Sequence, residues 1–203
     1  MRIQGFTLLE LAIVLTVCLI LLTVALPKTR DAGAIAGVAQ TQSDLKILQT
    51  AIMDYYADQH LYPPDHDPDK ILAPGLFALT TPFPYLTTLP LDPFKMAEGS
   101  PFFTYDYEGN SGCASFLPIT LDPAECVRAY LAFGIGPDLR DSTALNDEFP
   151  FGTQMTSYSP TNGSESNGDI YALIGDYERG RFTLNGRLVG TGDGPPFKES
   201  QSH

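Results

Sequence analysis

Basic residues are scarce in this chain of 203 residues: 12 Lys and Arg stand against 24 Asp and Glu, a formal charge of −12. That balance argues against a nucleic-acid partner, whose phosphates need a basic face. Cysteine is scarcer still. Cys18, Cys113 and Cys126 are too few for a disulfide-dense scaffold and too widely spaced for a zinc ribbon. The three histidines, His60, His66 and His203, share no metal-ligand spacing. The sequence also lacks G-x-S-x-G, a P-loop and H-E-x-x-H, so it offers no catalytic constellation and reads as a non-enzyme. The glycine run Gly190-Thr191-Gly192-Asp193-Gly194 leads into Pro195-Pro196 rather than a helix, and so reads as a tail. Asn162-Gly163-Ser164 fits a glycosylation acceptor, a pattern too common to carry weight.

Apolar residues are plentiful at 43 %, enough for one packed domain with an appendage. They are unevenly spread. From Phe6 to Leu26 run 21 residues with a single charge, Glu10, the length of a helix across a bilayer. A cleaved secretory signal would have a shorter run and an A-x-A site, whereas this run ends at Ala25-Leu26-Pro27. A lipoprotein would carry a small residue before its cysteine, and Cys18 follows Val17. Arg2 lies before the run and Lys28 and Arg30 after it, so the charge bias leaves the orientation open. A plain anchor leaves Glu10 unexplained, because a carboxylate within a membrane helix costs about 2.5–3.5 kcal/mol on insertion scales.

After Pro27 the pattern becomes amphipathic. Ile35, Val38, Leu45, Leu48, Ile52 and Tyr55 recur at helical intervals, with Lys46, Gln49, Asp54 and Asp58 between them. The expectation is one long helix to Gln59, roughly 80 Å if continuous, whose apolar stripe holds a globular part. Pro27, Gly33 and Gly37 mark the place where it is expected to bend or weaken. Residues 60–101 are Pro-rich and read as an ordered connector with one short helix near Leu72–Leu79. Strands are expected at Phe102–Tyr107, Ala129–Phe133 and Asp169–Ile174, and a tight hairpin where Asn185-Gly186 joins Arg181–Leu184 to Arg187–Val189. The fold class is α+β, a long N-terminal helix packed on a small antiparallel sheet with long loops.

The residues Gly5-Phe6-Thr7-Leu8-Leu9-Glu10 bring in a family. Here the chain resembles the type IV pilin superfamily, whose precursors are cut by prepilin peptidase after a Gly and methylated on the new N-terminal Phe. The resemblance makes 1–5 a leader, 6–27 a hydrophobic membrane and assembly helix, 28–59 its amphipathic continuation, 60–101 a connector and 102–203 the sheet domain. It places cleavage at Gly5, N-methylation on Phe6 and a helix bend at Pro27. It also accounts for Glu10, whose charge is tolerable when paired with the N-terminal ammonium of a neighbouring subunit. Tyr62-Pro63, Tyr85-Leu86, Leu89-Pro90 and Asp92-Pro93-Phe94 look like the connector of the type II secretion major pseudopilin. The implied partners are copies of the chain and other pseudopilins, prepilin peptidase, an inner-membrane assembly platform and the lipid bilayer. The implied place is the inner membrane, crossed once, with the globular part in the periplasm. A pilin of a surface fibre and a membrane-anchored periplasmic binding module are the competing readings.

That topology puts Cys113 and Cys126 in a compartment where disulfides persist. A bridge between them is expected, worth about 3 kcal/mol in the chain-entropy model, against two separate thiols. Asp65, Asp67 and Asp69 alternate like an EF-hand start, but Lys70 and Leu76 stand where Gly and Glu are needed, so they read as a solvated acidic loop. Gly134-Ile135-Gly136-Pro137-Asp138 and Asn167-Gly168-Asp169-Ile170 resemble the two ends of the major pseudopilin's calcium loop. The resemblance implies calcium on Asp138 and Asp169, with Asp141 and Asp147 as further oxygen donors. The 30 residues between those ends, Leu139–Gly168, exceed the family's compact loop. Surface acids on a Gly- and Ser-rich loop are the alternative.

Overall fold

The computed structural model describes residues 7–66, 75–98, 104–109, 128–145, 149–164 and 166–192. One helix, α1 (Leu8–Gln59), runs unbroken through residue 27. Thr7 caps its start, accepting the N–H of Glu10 on its hydroxyl at 3.2 Å. His60 ends it in the left-handed conformation (φ 58°), its N–H bonded to the Tyr56 carbonyl. The predicted stripe forms the anchor: Leu45, Leu48 and Ile52 are buried, and Val38 and Tyr55 flank them. Each of the three fully buried side chains contributes about 1.5–3 kcal/mol. Ile35 departs from the expectation. At 61 % exposure it lies outside the packed part of the stripe.

The connector is held to α1 by rings. Tyr62 stacks on Tyr56 with centroids 4.6 Å apart and meets Tyr130 edge-on, while Tyr85 meets Tyr55 edge-on and donates to Asp58 at 2.9 Å. The short predicted helix is a 3-10 turn at Gly75–Leu79. A further helix, α2 (Pro93–Glu98), follows Asp92. Its signal stood in the sequence: an Asp cap with Pro at the first helical position. The Phe94 ring seats against Gly37, where an added Cβ would stand 2.7 Å from it. Gly37 is therefore a notch for α2 rather than a weak point, whereas Gly33 has open space around it.

Two sheets follow, where the sequence predicted one. The first comprises β1 (Asp106–Gly109), β2 (Ala129–Gly134) and β5 (Ile170–Gly175) in the order β1-β2-β5, all antiparallel, with Tyr130 opposite Ile174. The second comprises β3 (Thr143–Ala144), β4 (Phe151–Met155), β6 (Arg181–Leu184) and β7 (Arg187–Val189) in the order β3-β4-β6-β7. In it β4 and β6 run parallel, correcting the wholly antiparallel expectation. The predicted hairpin is β6–β7, with Asn185 and Gly186 both at positive φ. The stretch 139–168 is thus no plain loop, because β3 and β4 lie within it. The strand expected at Phe102–Tyr107 is found as β1, shifted towards the C-terminus, and residues 102–103 lie outside the described residues.

Strand β2 is buried on both faces, as its uninterrupted apolar run requires. Tyr130 and Ala132 join Leu45, Leu48 and Ile52 of α1 in one core. Leu131 and Phe133 join Phe149, Met155 and Phe182 in a second. The three-stranded sheet is therefore the middle layer between helix and second sheet. The class is α+β and the arrangement pilin-like.

Candidate functional site

Two places carry chemistry. The first is the start of α1. Thr7-Leu8-Leu9-Glu10 has the T-x-x-E spacing of a capping box, a signal the sequence reading passed over, and Thr7 makes its half of the contact. Beyond it every large apolar side chain from Leu8 to Leu22 is 48–88 % exposed. The hydroxyls among them are satisfied within the helix, Thr16 donating to the Ala12 carbonyl at 2.8 Å and Thr23 to that of Ile20 at 2.7 Å. This leaves the exposed Glu10 carboxylate as the one charged group on an otherwise apolar rod. Cys18 is a free, exposed thiol. Apolar surface of this extent needs lipid or protein to cover it. Among the described residues no helix is long and apolar enough to cross a membrane. The run from Phe6 to Leu26 is described with its side chains only from Thr7 to Thr23. Gly5 and Phe6, the predicted cleavage and methylation positions, lie outside the described residues, as do Cys113 and Cys126.

The second place lies where β2 ends and β5 begins. Asp92 pins the entry: its Oδ1 accepts the N–H of Phe94 at 2.8 Å and its Oδ2 that of Ile135 at 2.9 Å. Burial raises the Asp92 carboxyl to about 6, with the two N–H bonds and Lys95 opposing the rise. Lys95 itself pairs with Asp106 at 2.6 Å, tying α2 to β1. From Ile135 the chain turns through Pro137 and Asp138, closed by the N–H of Leu139 on the Gly136 carbonyl at 3.0 Å. Gly136 abuts the next segment so closely that a Cβ there would collide with the Gly168 carbonyl, while standing 3.3 Å from Asp138 Oδ1. The two sequence motifs, some thirty residues apart, thus meet at one point.

Asp169 is completely buried. Its Oδ2 accepts from the Ser142 N–H at 2.9 Å, the Thr143 hydroxyl at 2.7 Å and the Tyr171 hydroxyl at 3.2 Å. Its Oδ1 has no hydrogen-bond partner, and neither carboxylate oxygen of Asp138 has one, though all three oxygens are shielded from solvent. Burial lifts the Asp169 carboxyl to about 7; the bonds from Thr143 and Ser142 pull it down, nearby Asp141 pushes it up, and the bond from Tyr171 pulls it down. Asp141 is exposed and spends Oδ1 on the Thr143 N–H at 2.7 Å. Asp147 lies outside the described residues.

Asp138 Oδ1 and the Gly168 carbonyl share the space beside Gly136, and with Asp169 Oδ1 in the next residue the partnerless oxygens are of the kind a hard cation takes. The set is small. Among the described residues no three His, Cys, Asp or Glu side chains gather into a metal-binding group, so a cation here would draw the rest of its shell from carbonyls and water. Of the other acidic run only Asp65, which is half-buried, is among the described residues; Asp67 and Asp69 lie outside them. His66 is buried with its Nε2 2.9 Å from the Thr104 hydroxyl, and His60 sits at the helix end.

Residues 1–26 match the prokaryotic N-terminal methylation motif, the signal of type IV pilins and pseudopilins, which supports a place for the chain in the type IV pilin-like superfamily. The signal implies processing by prepilin peptidase, self-assembly and a membrane-anchored N-terminus, and it indicates a structural subunit rather than an enzyme. No curated protein and no solved structure matches the chain.

Proposed function

We propose that the chain is a structural subunit of a type II secretion pseudopilus, cut after Gly5, methylated on Phe6 and polymerised through α1 into a short filament that supports protein export. The supporting observation is the division of one unbroken helix. Its first half carries the methylation signal and exposes the large apolar side chains from Leu8 to Leu22, while its second half is anchored in the globular core. In this reading the apolar half is held by the inner membrane before assembly and by neighbouring copies afterwards, with the globular part in the periplasm. Glu10 recruits the next subunit by pairing its carboxylate with the ammonium that cleavage creates on Phe6. Pro27 is where the helix yields between the two environments. The connector motifs Tyr62-Pro63, Tyr85-Leu86 and Asp92-Pro93 support the secretion branch by their resemblance to its major pseudopilin; Tyr62 and Tyr85 pack on α1, and Asp92 accepts the N–H of Ile135 just beyond β2.

The same reading assigns calcium to Asp138 and Asp169, in keeping with their partnerless buried oxygens. A bound cation would neutralise both carboxylates and fix the turn that carries Asp138 against the start of β5.

The first test is the intact mass of the protein purified from its native membrane. Loss of Met1–Gly5 together with one added methyl group is the expected result; an uncut N-terminus in cells with active prepilin peptidase would overturn the assembly reading and leave the anchored binding module. Deleting the gene then separates the branches: loss of exported proteins supports the pseudopilus, whereas loss of surface fibres with normal export supports the pilus.

A further inference from the structure

We propose that Thr143 and Tyr171 are positioning residues for the cation on Asp138 and Asp169, which makes the second sheet part of that site; the inference rests on the calcium reading above. A carboxylate on an open loop rotates and offers either oxygen. Asp169 has no such freedom, because the Ser142 N–H and the Thr143 and Tyr171 hydroxyls gather on Oδ2 while the side chain is fully enclosed. The Thr143 and Tyr171 hydroxyls also stand 2.7 Å from each other, and the Tyr171 oxygen accepts the N–H of Thr156 at 3.2 Å. Each hydroxyl has one hydrogen and two acceptor positions, so two of the three contacts among Thr143, Tyr171 and Oδ2 carry a hydrogen, and at least one hydroxyl donates to Oδ2 beside the Ser142 N–H. What remains is a single oriented oxygen, Oδ1, that no donor reaches.

A buried anionic oxygen with no donor is costly, and the donors present are spent on the other oxygen. That division suits a ligand that must present one oxygen in a fixed direction. Outer partners of this kind orient the inner ligands of metal sites, and their loss typically costs about 10- to 100-fold in affinity. Their source matters here. Ser142 and Thr143 belong to the stretch between the two motifs, and Thr143 is fixed by its pairing with Met155 of β4. The extra length of this chain is then what holds Asp169 in place.

The test is calcium titration calorimetry on the full-length protein in detergent, with thermal melts in chelator run alongside. Asp169→Asn is expected to abolish binding. Tyr171→Phe and Thr143→Val should each weaken the Kd by about tenfold or more, while Thr143→Ser, which keeps the hydroxyl, should match wild type. Wild-type-like affinity in Tyr171→Phe and Thr143→Val, with binding still lost in Asp169→Asn, overturns the positioning role and leaves the cation in place. A wild-type protein that takes up no calcium overturns the cation reading itself. Should Tyr171→Phe fail to melt cooperatively, Thr143→Ser against Thr143→Val decides.

Discussion

The two halves of α1 are built from similar apolar residues and meet opposite fates. Leu8, Leu15 and Leu22 are about half exposed or more, whereas Leu45, Leu48 and Ile52 are wholly enclosed. Arrangement makes the difference. The first half is apolar all round, so no stripe can be chosen for a single partner. The second half alternates with Lys46, Asp54 and Asp58 and therefore has one side to bury. An all-round apolar helix needs a surrounding solvent of lipid or other helices; a striped one needs a sheet.

The sharpest way to break this contrast is Glu10→Leu, which removes the single charge from the apolar half. Incorporation into filaments is expected to fail while cleavage and methylation of Phe6 proceed; normal assembly of a processed variant would sink the role given to Glu10. Next come paired truncations measured by denaturant unfolding. Leu48→Ala should cost about 2–5 kcal/mol by leaving a cavity, and Leu15→Ala should leave the globular part unchanged within about 0.5 kcal/mol. Equal losses at the two sites would mean that the halves do not differ as described.

The glycines sharpen the comparison at smaller scale. Gly37→Ala drives a Cβ into the buried Phe94 ring, and overpacking of about 1–3 kcal/mol outweighs the helix gain of about 1 kcal/mol. Gly33→Ala meets nothing and should stabilise by up to about 1 kcal/mol. Thermal melts of both variants check the opposite signs. The last prediction concerns pH. Asp92 has its carboxyl raised to about 6 in the folded chain, above the ordinary unfolded value near 3.9. It therefore binds its proton more tightly when folded. The stability this gives is full below about pH 4 and is lost as pH rises through 6, by an amount on the order of 3 kcal/mol. Asp92→Asn should flatten that part of the stability profile; an unchanged slope between pH 4 and 6 would place the titration elsewhere.

Much of this was legible before any coordinates. The helix, its apolar and amphipathic halves, the short connector turn and the Asn185-Gly186 hairpin follow from local rules of period, turn chemistry and length. Asp138 and Asp169 were singled out by the resemblance of their segments to the two ends of the major pseudopilin's calcium loop. What was missed has a common cause. Strands β3 and β4 are short or carry little alternation, and Thr143–Ala144 is only two residues long. Such strands exist because partners distant in sequence complete their hydrogen bonds, as β6 does for β4. Capping by Thr7 and Asp92 was readable from spacing alone, yet both signals sit inside longer motifs that drew attention to other residues.

The sequence by itself determined that there is an apolar helix with one carboxylate, since a 21-residue apolar run admits few other structures. It also determined which side of the second half would be buried. Only the tertiary structure decided that the stretch after Asp138 contributes β3 and β4 to a second sheet and that Gly37 is a notch for Phe94. It alone enclosed Asp169 with one oxygen saturated and the other bare. The physical reason is range: helix period and turn chemistry act within a few residues, whereas burial and the direction of a carboxylate depend on groups brought together from across the chain.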